Sequence, residues 1–238
     1  MKKKSIAILM LAAAMVLQPA TALAAGSAST GDVTVSSGSD GGSSSSSTTT
    51  TSSSTINSDT KVSVSSTGVK TTGATTSVSG NGSSIGVVVD TVTTTGQQVS
   101  TNSKGEAVVG DTAVGFAKDE AATAGLPNAV VSSINDINAG KALSEAVKDV
   151  NLEGFNALTG THAIITKDAA TGTVKTGQVE VSLYVPNLVA GLQNVQVLFY
   201  DNATGKWQLI PALKIDPVTK TISANIPGSG TLSVVYKK

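Results

Sequence analysis

The chain has 238 residues, with sixteen lysines, sixteen carboxylates, one histidine, and neither cysteine nor arginine. A disulfide framework is therefore excluded, and the lone His162 leaves too few donors for a catalytic zinc site. Arginine carries the planar fork best fitted to phosphate and guanine, so without it, and with a formal net charge of zero, nucleic acid is not an expected partner.

In chain order, Lys2, Lys3 and Lys4 precede an apolar run from Ile6 to Leu17, which Gln18-Pro19 ends just before Ala22-Leu23-Ala24. This order predicts a signal peptide over 1–24, with Ala22 and Ala24 as the small residues of the cleavage site. The run is short of the roughly 20 residues a spanning helix needs, so no membrane span is expected after cleavage. Removal of the three lysines leaves thirteen against sixteen carboxylates, a formal charge of −3. No cysteine beside the site offers a lipid anchor, and Val235-Tyr236-Lys237-Lys238 provides no apolar tail. A secreted or extracellular protein is expected, free or held noncovalently at the cell wall.

Residues 25–83 read as a Ser/Thr/Gly-rich disordered tract. Between Gly26 and Gly105, 53 of 80 residues are Ser, Thr or Gly, and Gly41 to Ser54 contains nothing else. Little apolar surface is available there to offset the ~1–2 kcal/mol per residue that ordering the backbone costs. Proline is absent from Ala20 through Leu126, so a flexible coil is expected rather than a stiff stalk. The dense hydroxyls also suit O-glycosylation. β-Branched residues then gather at Ile85, Val87, Val88, Val89 and Val92, which places the start of the folded part near Ser83.

The predicted folded domain spans 84–238, and all seven aromatic residues of the chain fall within it. Asn102-Ser103-Lys104-Gly105 reads as a turn between two strands. Leu126, Val130, Ile134 and Ile137 recur at helical spacing behind Pro127, and Gly140 can close that helix in a left-handed conformation. Leu143, Ala146, Val147 and Val150 predict a second short helix from about Lys141 to Val150. Val179, Val181, Leu183 and Val185 then alternate with polar residues, and Val195, Val197 and Phe199 alternate in a strand apolar on both faces, as a central strand would be. Asp201-Asn202-Ala203-Thr204-Gly205 and Asp216-Pro217-Val218-Thr219-Lys220 supply hairpin turns. Strands near 206–210, 222–226 and 231–236 complete a mainly β fold, α+β by strict count: an antiparallel β-sandwich-like C-terminal domain with two short helices near 127–150.

Few groups in this domain suit chemistry. His162 would have to serve as the base of any serine triad, yet its surroundings read as the start of a strand. Asp201, Asn202, Thr204 and Asp216 offer oxygens for calcium but lack the spacing of a calcium loop, so turn roles are expected. Paired carboxylates are the main hydrolytic route open to such a chain, and Glu180, Glu145 and Glu153 are the candidates. Among the aromatics, Trp207 should point inward with Leu209. Tyr184 should point outward with Glu180 and Ser182, where it could stack on sugar rings, and it is the one candidate ligand-binding residue.

Ile134-Asn135-Asp136-Ile137-Asn138-Ala139-Gly140, Leu158-Thr159-Gly160-Thr161-His162, Val185-Pro186-Asn187-Leu188 and Gly228-Ser229-Gly230-Thr231-Leu232 resemble segments of uncharacterised exported proteins of Gram-positive bacteria. Those have a Ser/Thr-rich leader before a β-rich C-terminal domain. The resemblance covers about Gly105 to the end and implies export and this architecture, with no catalytic residue to carry over. The expected function is that of a secreted noncatalytic binding or structural protein of the bacterial cell surface or extracellular matrix. It needs no cofactor or metal, and its partner would be a cell-wall or extracellular polysaccharide or a protein. The alternatives are a glycan-directed hydrolase using paired carboxylates and a carbohydrate-binding module without hydrolysis.

Overall fold

A computed structural model of the protein describes residues 68–238. The expected signal peptide, with Ala22 and Ala24, and the tract as far as residue 67 lie outside the described residues. The chain forms a hairpin from β1 (Thr76–Val78) and β2 (Ser84–Val87), then a meander of β3 (Thr91–Val92), β4 (Gln98–Thr101), β5 (Ala107–Val109) and β6 (Thr112–Phe116). Helices α1 (Asn128–Asn138) and α2 (Leu143–Ala146) follow. The remaining strands are β7 (Phe155–Ala157), β8 (His162–Asp168), β9 (Val179–Tyr184), β10 (Gln193–Asp201), β11 (Lys206–Pro211), β12 (Lys214–Asp216), β13 (Thr221–Ile226) and β14 (Gly230–Lys237).

These strands make two antiparallel sheets. The smaller has the order β1-β2-β9-β13-β12. The larger runs β11-β10-β14-β8-β6-β5-β4-β3, and β14 pairs with β8 through Gly230–Leu232 and with β7 through Val235–Lys237. Period-2 alternation dictates which side chains meet between the sheets. Val179, Val181 and Leu183 of β9 and Ile222, Ala224 and Ile226 of β13 pack in one cluster with Val197 and Phe199 of β10 and Leu232 and Val234 of β14. Burying each such Val, Leu, Ile or Phe side chain contributes about 1.5–3 kcal/mol, and this layer is the principal source of stability in a domain without disulfides.

The reverse face of the large sheet carries the helices. Val130, Ile134 and Ile137 of α1 and Leu143 and Ala146 of α2 pack on Leu198 and Tyr200 of β10, Trp207 of β11 and Val235 of β14. Strand β10 is thus apolar on both faces because it is covered on both, and Trp207, with Leu209 beside it, packs against helices instead of between the sheets. Helix α1 ends as its sequence predicts: Gly140 takes φ 78°, its amide donates to the Ile137 carbonyl, and the Lys141 amide donates to that of Asp136. The second helix is shorter than expected. At Val147 the backbone turns extended, with φ −128° and ψ 119°, and the chain then buries both Val147 and Leu152 under the helical layer.

Order also begins earlier than Ser83. Thr76–Val78 pairs with Ser84–Gly86, Val69 is buried, and Thr75 is fully buried. Hydroxyl groups hold this stretch where apolar groups are scarce. Ser79 Oγ lies 2.8 Å from Ser83 Oγ and donates to Asn81 Oδ1, while Thr72 Oγ1 donates to the Gly105 carbonyl.

Candidate functional site

On the outer face of the small sheet, alternation turns Glu180, Ser182 and Tyr184 of β9 and Thr221 and Ser223 of β13 away from the core. Ser182 lies opposite Ser223, and their hydroxyls meet at 2.8 Å. Lys214 and Asp216 of the edge strand β12 stand opposite Ser223 and Thr221 and extend this polar face sideways. Above it the chain from Gly68 to Lys70 bridges to Val89, and the segment Asp90–Thr94 crosses toward the large sheet. Together these elements enclose a groove of about 450 Å³ with Ser182, Thr221 and Ser223 at its floor.

Charge of both signs borders the groove. Lys70 Nζ and Asp90 Oδ2 form an exposed ion pair at 3.2 Å on one wall. On the other, Asp216 Oδ1 accepts the amides of Val218 and Thr219, and chiefly the Thr219 amide holds this carboxyl below its ordinary range. Thr219 Oγ1 lies 2.9 Å from Thr221 Oγ1. The groove therefore presents hydroxyl, ammonium and carboxylate groups side by side, the equipment for hydrogen-bonding a polar, hydrated ligand.

Tyr184 does not stack at the surface of this groove. Its residue is 6% exposed, clustered with Val69 and Val88, because the Gly68–Lys70 segment lies across the end of β9. Strand alternation correctly assigns the ring to the outer face but carries no information about what covers that face. Glu180 is buried as well, but under the β3–β4 turn. Its Oε1 accepts the Thr94 amide at 2.5 Å and its Oε2 the Thr94 hydroxyl at 2.8 Å, which ties the β3–β4 turn to the small sheet. Glu145 and Glu153 are exposed at and beyond α2, on the opposite side of the sandwich from Glu180, so these three carboxylates do not converge.

His162 opens β8, as its sequence context predicts. It is 2% exposed, its ring meets Phe116 edge-on at 6.3 Å between centroids, and Nδ1 lies 3.0 Å from Ser77 Oγ. Nε2 has no hydrogen-bond partner. Burial lowers the ring's pKa from 6.5 to about 3, which makes it a poor proton acceptor at neutral pH despite the adjacent hydroxyl. Gly82-Ser83-Ser84-Ile85-Gly86 has the spacing of a nucleophile elbow, but Ser84 begins a hairpin strand and no helix follows it.

The Asp-containing loops are turns. Asp201 Oδ1 accepts the Ala203 amide and Oδ2 the Thr204 hydroxyl, with Gly205 at φ 68°; in the Asp216 loop Lys220 takes the same backbone region at φ 57°. Asp168-Ala169-Ala170-Thr171-Gly172 repeats the device and was legible from its likeness to Asp201–Gly205, since Asp168 Oδ1 accepts the amides of Ala170 and Thr171. No three metal-ligating side chains gather among the described residues. The groove's upper wall, from Val69 to Thr94, is the part that composition conceals, because its contacts are made by threonines and short apolar runs within a hydroxyl-rich stretch. No family model matches the chain, and no curated protein or solved structure shows significant similarity to it.

Proposed function

We propose that this is an exported, noncatalytic β-sandwich protein that acts by binding at the bacterial cell surface or in the surrounding matrix, with the groove on the small sheet as its contact region. The observation that carries this reading is the hydroxyl floor made by Ser182, Thr221 and Ser223 between walls that each carry charges of both signs. Such a floor suits a neutral, hydroxyl-rich polymer, whose groups exchange donor and acceptor roles with serine and threonine. Cell-wall or extracellular polysaccharide is accordingly the partner class. Recognition here works by hydrogen bonding along the groove, since Tyr184 lies beneath the covering segment.

A hydrolytic reading would have to use Asp90 and Asp216, the carboxylates that border the groove. A glycosidic acid needs a raised pKa, whereas the amides of Thr219 and Val218 lower that of Asp216, and Asp90 is an exposed carboxylate ion-paired with Lys70 rather than one set in an apolar pocket. Binding is therefore the better-supported function.

The test is cosedimentation of the purified protein with insoluble cell-wall polysaccharide, with a Ser182→Val/Ser223→Val double variant alongside and reducing ends assayed in the supernatant. Saturable binding that the double variant loses, with no new reducing ends, is the expected result. Binding indifferent to the substitutions would refute the groove, and release of soluble sugar would establish hydrolysis instead. Fractionating a culture into medium, wall and membrane tests the export on which the reading depends. Among the described residues no helix is long and apolar enough to cross a membrane.

A further inference from the structure

A second concavity, lined by none of the groove's residues, lies where β1 and the β6–α1 connection meet α1 and the start of β8. Thr161 and Ala163 form its floor, Ile134 and Asn138 of α1 one wall, and Ser77 of β1 with Ala122 the other, around a volume of about 290 Å³. This is close to the lower end of pockets that hold small molecules, roughly 300–1,000 Å³.

The lining is mixed in a specific way. Ile134, Ala122 and Ala163 supply apolar surface, and the two alanines are too short to fill the space they border. Asn138 Oδ1 accepts both the amide and the hydroxyl of Thr161, at 2.8 and 3.2 Å, while its Nδ2 donates to no described residue. Ser77 Oγ is engaged by His162 Nδ1, and the buried imidazole behind it is neutral, so no charge borders the cleft from within. Lys118 and Asp119, opposite in sign and exposed, stand at the mouth.

We infer that this cleft is a binding site for a small uncharged molecule with an apolar body and one carbonyl-type acceptor, which the unused Nδ2 of Asn138 receives. The apolar body rests on Ile134, Ala122 and Ala163. A charged ligand would lose its hydration without gaining a partner inside the cleft.

Acetophenone and ethylbenzene, alike in ring and size and different in the carbonyl, are the probes. Each is titrated into the purified, 15N-labelled protein and followed by amide chemical shifts. The expected result is saturable shifts at Ala122, Thr161, Ala163 and the Asn138 side-chain amide, with acetophenone bound roughly threefold to tenfold more tightly, the worth of one hydrogen bond. Ala122→Phe, which fills the cleft from its mouth, should abolish binding of both probes. Ala163→Leu, which fills it from the floor, should do the same where its spectrum remains that of the folded protein. Absence of saturable shifts, lack of preference for acetophenone, or undiminished binding by Ala122→Phe would each overturn the assignment.

Discussion

The amide of Gly160 donates to the hydroxyl of Ser83 at 2.6 Å, across 77 positions of sequence. This bond fastens the β1–β2 hairpin to the loop that opens β8, beside the side-chain Oδ1 of Asn138 that accepts the next amide, Thr161. The approach is so close that a Cβ at Gly160 would lie 2.6 Å from Asn81 Oδ1 and 2.7 Å from Asn138 Oδ1. Gly160→Ala should therefore destabilise the domain by about 1–3 kcal/mol, the usual cost of overpacking. Ser83→Ala leaves a buried amide without an acceptor, and its cost should be similar. Urea unfolding of both variants measures this, and wild-type midpoints would show that the junction bears no strain.

The same hairpin bears on where the domain begins. A chain starting at Ser84 would lose β1, uncover the edge of β2 and remove Ser83 from Gly160, whereas one starting at Gly68 retains all three. The shorter chain should unfold at lower urea and be cut faster by protease between β2 and β3. Equal protease resistance in the two would return the boundary to Ser83.

Tyr184 makes an opposite pair of predictions for binding and stability. Because its ring packs under Val69 and Val88, Tyr184→Ala should lower stability by about 3 kcal/mol, in the range for deleting a buried aromatic side chain. The loss should include release of Gly68–Lys70, read as faster hydrogen exchange at Val89, whose amide donates to the Lys70 carbonyl. A variant with unchanged stability and lost polysaccharide binding would instead place the ring at the ligand.

These cases show what the sequence makes legible. Alternation in β9, β10 and β13 identifies strands and faces, because one face of each must bury its β-branched side chains. The Asp201 and Asp216 loops are readable because an Asp carboxylate two or three residues before free amides has one good conformation. Tertiary cover is not readable in this way. Glu180 and Tyr184 occupy the face that alternation assigns them, yet distant parts of the chain cover both, Thr94 over Glu180 and Val69 with Val88 over Tyr184. Residues 68–83 escape notice for a related reason: composition treats serine and threonine as solvent-seeking, whereas Thr75 bonds Thr72, Ser79 bonds Ser83, and Ser83 accepts the amide of Gly160 in the folded core. The groove inherits this blindness, since one of its walls is drawn from that stretch.

His162 gives the domain a pH dependence of definite sign. Its folded pKa is about 3 against 6.5 for the free side chain, because burial penalises the charged ring. Below about pH 6.5 the unfolded chain binds a proton that the folded chain refuses, so acid favours unfolding. Stability contributed by keeping this ring neutral is complete above pH 6.5 and should fall by up to ~1.4 kcal/mol per pH unit on the way down to about 3. Carboxylates whose pKa the fold lowers, Glu106 through its Asn102 hydrogen bond, Asp111 through that from Lys175, and Asp168 and Asp216 through the amides of Thr171 and Thr219, act in the same direction. Their effect begins only near their ordinary values of 4.5 and 3.8. Between about pH 6.5 and 5 the slope therefore belongs to His162. Urea unfolding across that interval should show it in the wild type. His162→Gln, which retains an acceptor for Ser77 but does not titrate, should flatten it whatever its absolute stability. A flat wild-type profile, or the same slope in His162→Gln, would mean that the ring is hydrated and protonates in place.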